Sequence, residues 1–231
     1  RLAAPATVLS LILSDVIGDD LDVIGSGPTV PDRSTFSDAV AVLRRRGIWA
    51  RVPASVRTRL EQGEAGKAAE TPKPGDAVFE RVHNVVVGSK PIAIAAAARE
   101  AKALGYRTLI LSSTIEGESR EVAGVHASIA KEILASGHPL RPPACVISGG
   151  ETTVTLRGRG KGGRNQEFVL AALVKLGTSY MAGVCIVSGG TDGVDGPTDA
   201  AGAVAALDTV RRVEELGLHP QSYLARHDSY P

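Results

Sequence analysis

Short aliphatic runs alternate with longer helical patterns along most of this chain, and that alternation narrows the choice of folds more than any other feature. Val8–Leu13 is an apolar run of strand length, whereas Phe36–Arg46 shows apolar residues at helical spacing, with Ser34 or Thr35 as its cap. Strands that alternate with helices favour parallel βαβ units, in which ligands bind at the carboxyl ends of the strands. The sequence therefore predicts an α/β protein of three layers, with parallel and mixed sheets.

The other predicted elements continue this alternation. Strands are predicted at His83–Val87, Thr108–Leu111, Ala144–Ile147 and Val184–Val187, and helices at Ser55–Leu60, Lys90–Leu104, Arg120–Ala135, Asn165–Leu176 and Asp208–Leu216. The stretch Thr152–Leu156 is rich in β-branched residues and alternates in polarity, so it is predicted to be a further strand that follows Ala144–Ile147 after a tight turn. A hairpin-like element of this kind makes the second sheet mixed.

A polar segment with two prolines separates the first elements from the more regular second part of the chain. This segment, Gly63–Asp76, is predicted to be a linker or a long surface loop. We therefore expect two domains, residues 1–75 and residues 76–231.

The charge balance argues against a polyanionic partner. The chain carries 26 lysines and arginines against 25 aspartates and glutamates, so no net field attracts nucleic acid or an anionic membrane. Aromatic residues make up 3% of the sequence, too few for platforms on which the bases of single-stranded nucleic acid stack. No apolar run approaches the ~18 residues of a membrane span. We therefore expect a small-molecule substrate, with neither nucleic acid nor a membrane as partner.

The two cysteines, Cys145 and Cys185, each lie in an apolar run, and their spacing fits neither a zinc site nor a disulfide framework. They are predicted to be buried free thiols, which are typical of a reducing compartment, so a cytoplasmic protein is expected. The histidines likewise show no spacing typical of metal ligands.

Three predicted strands end in glycine-rich loops that also carry acidic residues. Their sequences, in chain order, are SDVIGDDLDVIGSGPT, SGGE and SGGTDGVDGPTDAAG. Glycine lets the backbone approach a ligand closely, and successive N–H groups can line a concave site for an anion. Gly149, Gly150, Gly189 and Gly190 are therefore predicted to bind a phosphate or a nucleotide. The alternative is that these loops are ordinary tight turns of an α/β protein.

A fourth glycine-rich stretch, GRGKGGRNQE at residues 158–167, contains the G-x-G-x-x-G spacing of a dinucleotide-binding turn. Such a turn needs an acidic residue about 20 positions later to hold the ribose, and residues 181–187 contain none. The stretch instead favours phosphate, because glycine backbone and a helix N-terminus offer N–H groups to an anion. Side chains add a planar fork and a mobile point charge. The predicted phosphate-binding residues are Lys161, Gly162, Gly163 and Arg164; a solvated basic turn is the alternative.

Acidic residues beside a phosphate site often hold Mg²⁺, through one or two carboxylates and the oxygens of the nucleotide. Asp192 and Asp195 are the predicted magnesium ligands. Their spacing resembles a calcium-binding loop, but Ala203 stands where that loop has its glutamate, which argues against calcium. Turn formation and helix capping are the alternative roles of such aspartates.

Three motifs in this order, SDVIGDDLDVIGSGPT, SGGETTVTLRGRGKGGRNQEF and SGGTDGVDGPTDAAGA, resemble the glycerate 2-kinases with a MOFRL-type C-terminal domain. The resemblance implies ATP- and Mg²⁺-dependent phosphorylation of D-glycerate at the 2-hydroxyl, giving 2-phosphoglycerate. It implies that residues 1–75 are the C-terminal part of a Rossmann-like N-terminal domain and that residues 76–231 are most of a mixed-sheet MOFRL-type domain. A fragment is expected, because an upstream lysine that the family leads us to expect as catalytic and a C-terminal glycine-threonine segment are missing from this sequence.

The same resemblance suggests roles for individual residues. Arg164 would contact phosphate in a cleft as a catalytic residue, and Glu151 and Asn165 would belong to the phosphate- or nucleotide-binding site. Asp192 and Asp15 would lie nearby, and Asp15 would accept the proton of the substrate hydroxyl. Because some family members are labelled hydroxypyruvate reductase, an NAD(P)H-dependent reductase is one alternative. A non-catalytic module that binds a sugar acid or a nucleotide is another, and a homodimer is compatible with the sequence.

Overall fold

The structure is a computed structural model that describes residues 2–231, and it divides into two compact units. The first unit ends at Ser89, and the second spans Lys90–Pro231. The strand Val82–Gly88, which follows the predicted domain boundary, pairs with the first strand of the chain and so lies in the first unit. The boundary after residue 75 stays a prediction.

The first unit contains two parallel strands and two α-helices among its described residues. They are β1 (Val8–Leu13), α1 (Phe36–Arg45), α2 (Ala54–Glu64) and β2 (Val82–Gly88). β1 and β2 run parallel, with Val8 opposite Val82. On β1 the side chains of Leu9, Leu11 and Leu13 are 63%, 67% and 76% exposed, although parallel strands are usually covered on both faces.

The start of α1 follows from its sequence. The hydroxyl of Thr35 accepts a hydrogen bond from the backbone N–H of Asp38, and the carboxylate of Asp38 accepts one from the backbone N–H of Thr35. This reciprocal pair is a capping box, which satisfies N–H groups that the helix itself leaves unpaired. The hydrogen bonds from the Thr35 side chain and backbone also lower the pKa of the Asp38 carboxyl. Gly47, in the left-handed region at φ 66°, follows the end of the helix as predicted.

The second unit contains more elements. They are α3 (Lys90–Ala103), β3 (Arg107–Glu118), α4 (Ser119–Ser136), β4 (Ala144–Thr153), α5 (Arg164–Met181), β5 (Ile186–Gly189), β6 (Gly202–Ala205), α6 (Leu207–Glu215) and α7 (Pro220–Ala225). β3 and β4 pair in parallel, whereas β5 and β6 pair antiparallel. Both kinds of pairing occur, which confirms a mixed α/β architecture; the three-layer arrangement stays a prediction.

The hydrophobic core of the second unit centres on α5. Val169, Leu173 and Leu176 from this helix pack with Ala127 of α4 and Ala205 of β6. Their spacing of three or four residues is the helical periodicity that predicted α5. No helix among residues 2–231 is long and apolar enough to cross a lipid bilayer.

The predicted hairpin at Thr152–Leu156 is wrong. β4 continues without a turn through the SGGE stretch to Thr153, because Gly150 and Glu151 remain paired with Ile115 and Glu116 of a β3 that is longer than predicted. The strands approach so closely at Gly150 that a Cβ there would overlap the backbone of Ile115. Glycine in this stretch therefore serves strand pairing rather than a free loop.

Two further expectations differ from the structure. β6 and α7 were not predicted from the sequence, since each is too short for a clear periodic pattern. The prediction that both cysteines are buried is wrong for Cys185, which is exposed, whereas Cys145 is half-buried and burial raises the pKa of its thiol.

The close contact at Gly150 can be tested with its neighbour as control. We expect Gly150→Ala to lower the free energy of unfolding by about 1–3 kcal/mol, because the added methyl group must push two backbones apart. Gly149→Ala meets only the end of the flexible Ile94 side chain, 2.7 Å from the added Cβ, so its effect should be smaller. Urea denaturation of both variants measures the difference. Equal losses would contradict the pairing of β3 with β4 at this position.

Candidate functional site

An open groove of about 580 Å³ lies in the second unit. Its walls come from the end of β4, the start of α5, the loop between β5 and β6, and the stretch Gly158–Gly163, which we call the glycine loop. Of the residues predicted from the sequence, the groove brings together Gly162, Gly163, Arg164, Asp192 and Asp195. These residues form the candidate functional site.

Arg164 is the first residue of α5, and its guanidinium is paired with a carboxylate. Nη1 of Arg164 donates to Oε1 of Glu151, and Nζ of Lys90 lies 3.0 Å from Oε2 of the same carboxylate. The side chain of Arg164 is 41% exposed, whereas that of Lys90 is 15% exposed. Two cations therefore contact one carboxylate beside the groove.

Lys90 was missed in the sequence analysis. It is the first residue of α3, and a cation at a helix N-terminus is unfavourable because it faces the positive end of the helix dipole. The carboxylate of Glu151 offsets this arrangement. A lysine directly after a predicted strand and at the start of a predicted helix was the available signal.

Asp195 caps α5. Its Oδ1 accepts hydrogen bonds from the backbone N–H and the side-chain amide of Asn165, both at 3.0 Å, and its Oδ2 accepts one from the backbone N–H of Gln166 at 2.8 Å. The residue is 1% exposed. Asp195 therefore accepts hydrogen bonds from helix N–H groups that were predicted from the sequence to bind a phosphate.

Asn165 links this cap to β5. Its side-chain oxygen accepts a hydrogen bond from the hydroxyl of Ser188 at 2.7 Å, while its amide nitrogen donates to Asp195. With both ends of its side chain engaged inside the protein, Asn165 connects α5, β5 and the loop that follows β5. Its predicted contact with a nucleotide stays a prediction.

The glycine loop packs against the residues Arg226–Tyr230, which we call the C-terminal segment. The backbone N–H of Gly160 donates to the carbonyl of Arg226 at 3.3 Å, and that of Tyr230 donates to the carbonyl of Lys161 at 2.9 Å. A Cβ at Gly158, Gly160 or Gly162 would overlap this segment. The glycines are therefore needed because two stretches of backbone lie side by side.

Gly163 is required by a different neighbour. A Cβ at this position would overlap Asp195, and one at Gly196 would overlap the carbonyl of Gly162. Gly196 also lies in the left-handed region, at φ 63°. The end of the glycine loop is thus packed directly on the turn that carries the cap of α5.

Lys161 lies at the outer side of the glycine loop. Its ammonium lies 4.1 Å from the centre of the Tyr230 ring, and its backbone N–H donates to the Asp228 carboxylate at 2.9 Å. The hydroxyl of Tyr230 donates to Asp199 at 2.6 Å, which lowers the pKa of the Asp199 carboxyl and raises the pKa of the tyrosine. Lys161 does not line the groove, so its predicted contact with phosphate stays a prediction.

The other predicted residues lie in several places. Gly149 and Gly150 are inside β4, Gly189 ends β5 opposite Gly202, and Gly190 donates its N–H to the carbonyl of Ala201 at 2.7 Å. Asp15 is exposed and lies in the first unit, just after β1. The structure therefore gives the glycine pairs contacts within the protein, and their predicted contacts with a ligand are not tested by it.

The predicted magnesium ligands lie in the loop between β5 and β6. Among residues 2–231, no group of three or more histidine, cysteine, aspartate or glutamate side chains is placed to hold a metal ion. Asp192 is exposed and accepts a hydrogen bond from the N–H of Val194 at 3.1 Å, as in a turn. The carboxylate of Asp195 accepts its three hydrogen bonds as the cap of α5. The assignment of Asp192 and Asp195 as magnesium ligands stays a prediction.

A buried ionic cluster, not anticipated from the sequence, lies at the back of the groove. Nε and Nη2 of Arg120 donate to Oε1 of Glu167 at 3.0 and 2.8 Å, and Nδ1 of His227 lies 3.0 Å from Oε2 of the same carboxylate. Glu167 and His227 also line the groove. Their side chains are 2% and 5% exposed.

Comparison with known proteins gives the family. The model described as the MOFRL family matches residues 144–231, and a model described as a domain of unknown function (DUF4147) matches residues 1–61. The glycerate 2-kinase of Pyrococcus horikoshii is 43% identical to this chain, and the match covers 97% of the chain. A protein of Agrobacterium vitis named as a hydroxypyruvate reductase is 44% identical over 100%. The chain belongs to the glycerate 2-kinase/MOFRL family.

A solved structure of the same family supports the fold. The crystal structure of glycerate kinase from Thermotoga maritima matches 98% of this chain with a TM-score of 0.81 at 40% identity. The chain covers 51% of that structure and 50% of the Pyrococcus protein, so it spans about half the length of these relatives. The family assignment confirms the resemblance that the three sequence motifs carried.

The MOFRL match contains most of the candidate site. Arg164, Glu151 and the aspartates of the loop between β5 and β6 all lie within residues 144–231, whereas Asp15 lies within the other matched segment, residues 1–61. Lys90 lies in neither segment. Its ion pair with Glu151 therefore places a residue from outside the MOFRL match at the candidate site of this family member.

The role of Asp195 as a cap predicts a loss of stability that does not depend on a metal. We expect Asp195→Ala to lower the free energy of unfolding by about 1–3 kcal/mol, because its removal leaves N–H donors at the start of α5 without an acceptor. Thermal unfolding with and without Mg²⁺ measures this effect. Asp192→Ala, which removes one exposed hydrogen bond of the same loop, is the control and should lower the melting temperature much less. An Asp195→Ala variant as stable as the wild type would refute the role.

Proposed function

We propose that the protein containing this chain phosphorylates D-glycerate at the 2-hydroxyl with ATP and releases 2-phosphoglycerate. The observation that carries the proposal is the exposed Arg164 at the start of α5, facing an open groove beside the glycine loop. The glycerate kinase names of relatives at 42–43% identity support the choice of substrate. The proposed reaction is that of the whole protein, since these relatives are about twice as long as the chain.

Phosphoryl transfer depends mainly on positioning and on neutralising the negative charge of the transferring group. The N–H groups of Asn165 and Gln166 are held by Asp195, so in this proposal the side chains carry the phosphate contacts. Arg164 presents a planar fork of donors that matches phosphate oxygens. Its guanidinium would stabilise the phosphoryl group as it moves from ATP to the substrate oxygen.

The pairing with Glu151 gives Arg164 a resting position. A phosphate group carries more negative charge than one carboxylate, so it can compete with Glu151 for the guanidinium. Lys90 would then keep Glu151 neutralised while Arg164 turns to the ligand. In this proposal Glu151 holds the guanidinium of Arg164 in one defined position that still faces the groove.

The remaining roles follow the family resemblance. Asp15 is the proposed acceptor of the hydroxyl proton, and ATP is the proposed phosphoryl donor. Mg²⁺ is expected with ATP and Asp192 remains its proposed ligand. Such an ion would be held through one or two carboxylates together with oxygens of the nucleotide, so it does not require a larger group of ligands on this chain. A cytoplasmic location and a homodimer stay predictions.

The alternative is an NAD(P)H-dependent hydroxypyruvate reductase, which the name of the Agrobacterium relative favours. The geometry of the glycine loop argues against it, since the loop is filled by its contacts with the C-terminal segment. In a dinucleotide-binding turn the corresponding space belongs to the pyrophosphate. The third hypothesis is a non-catalytic binding module, which would bind nucleotide without turnover.

Replacement of Arg164 tests the proposal. In protein expressed over the full length of its reading frame, we expect Arg164→Ala to lower kcat for glycerate phosphorylation by roughly 10²–10³-fold, the loss typical of removing one group that stabilises transition-state charge. The assay follows 2-phosphoglycerate formation from ATP and D-glycerate. Arg159→Ala, an exposed arginine of the glycine loop, is the control.

A second assay separates the alternatives. Wild-type protein that oxidises NADH with hydroxypyruvate, and makes no 2-phosphoglycerate, would support the reductase and refute the kinase. An Arg164→Ala variant that retains activity within a few-fold of wild type would show instead that the kinase does not depend on this arginine.

A further inference from the structure

We propose that Arg120, Glu167 and His227 form a positioning network that holds the C-terminal segment against the glycine loop and thereby fixes the direction of Arg164. The three residues come from α4, from α5 and from the chain just after α7. The structural part of this proposal stands on the geometry of the cluster. Its catalytic part rests on the proposed function.

The first step is the arrangement of donors around one buried carboxylate. Nη2 of Arg120 donates to Oε1 of Glu167 at 2.8 Å and also lies 3.3 Å from the carbonyl of Leu224. Nη2 of Arg120 also lies 2.9 Å from Nδ1 of His227. Because an ionised carboxylate can only accept, the hydrogen bond of 3.0 Å between Nδ1 of His227 and Oε2 of Glu167 requires the hydrogen to be on Nδ1. Both oxygens of the carboxylate are satisfied, and each donor is fixed in direction by the charge of Glu167.

The second step is the backbone conformation of His227. Its φ is 54°, in the left-handed region, where asparagine, aspartate and histidine are found more often than other non-glycine residues. This turn follows α7 and sends the C-terminal segment back along the glycine loop, where Asp228 accepts a hydrogen bond from Lys161 at 2.9 Å. The hydrogen bond to Glu167 holds the residue at which the chain changes direction.

The third step connects the cluster to Arg164. Glu167 lies three residues after Arg164 in α5, and residues at this spacing share one face of a helix. The backbone N–H of Glu167 donates to the carbonyl of Gly163 at 2.9 Å. The same residue therefore anchors the C-terminal segment through its side chain and the end of the glycine loop through its backbone, one turn away from the arginine.

The experiment compares two replacements of His227. His227→Ala removes the donor and disfavours the left-handed backbone, so we expect hydrogen exchange of peptides covering residues 158–163 to become faster. We also expect kcat/KM for D-glycerate to fall by about 10²-fold, as a small displacement of a reacting group can cause. His227→Asn keeps a side-chain donor and tolerates the left-handed region, so it should restore both values close to wild type. The difference between the two variants separates positioning from bulk packing.

Two further variants complete the test. Arg120→Lys keeps the charge but loses the planar fork, and it should shift exchange and activity in the same direction as His227→Ala. Asp208→Asn removes an exposed ion pair with Arg211, 3.1 Å in length, and is the control that should change neither value. Unchanged exchange in both cluster variants would overturn the proposal. So would exchange that rises uniformly over α3 to α6, because the cluster would then only stabilise the unit as a whole.

Hydrogen exchange needs no turnover, so the two proposals can fail separately. Wild-type protein without glycerate phosphorylation would refute the proposed function, while exchange at residues 158–163 would still report on the network. Active wild-type protein with an unaffected His227→Ala variant would refute the catalytic part of the network and leave the proposed function in place.

Discussion

The buried carboxylate of Asp195 ties together the elements that form the groove. It accepts hydrogen bonds from two backbone N–H groups at the start of α5 and from the amide of Asn165. A charge at this depth is tolerated only where such donors surround it, so the helix and the loop after β5 are held in one arrangement. The glycine loop is packed on the same turn through Gly163. These contacts hold the first turn of α5, which carries Arg164.

Elements with a strong local signal could be predicted from the sequence. β1 has the predicted bounds, Val8–Leu13, and α1 begins after the predicted cap. The extension of β3 and β4 could not be predicted, because it depends on pairing between residues about 35 positions apart in sequence, the kind of non-local contact that local periodicity does not contain. The SGGE stretch has the composition of a loop, and only the approach of Ile115 to Gly150 explains why it is a strand.

The candidate site shows a similar division. The glycine loop and Arg164 could be found from the sequence, because a run of glycines and cations directly before a predicted helix is unusual. The sequence did not show that the glycines accommodate the C-terminal segment, which lies more than 60 positions further along the chain. The cluster of Arg120, Glu167 and His227 could not be predicted from the sequence either. Its three members come from separate elements and show no spacing motif. The aspartates were ambiguous in the sequence, because helix capping and metal binding use the same residue type.

The leucines that β1 directs to water have a practical consequence. A two-stranded sheet is marginally stable by itself, and a row of exposed aliphatic side chains beside an open strand edge is a surface on which other chains can stack. We expect a preparation in which this face stays uncovered to bind hydrophobic dyes and to precipitate as its concentration rises. The choice of where to cut the polypeptide for crystallisation should therefore be made by what shields Leu9, Leu11 and Leu13, and not by the bounds of the groove.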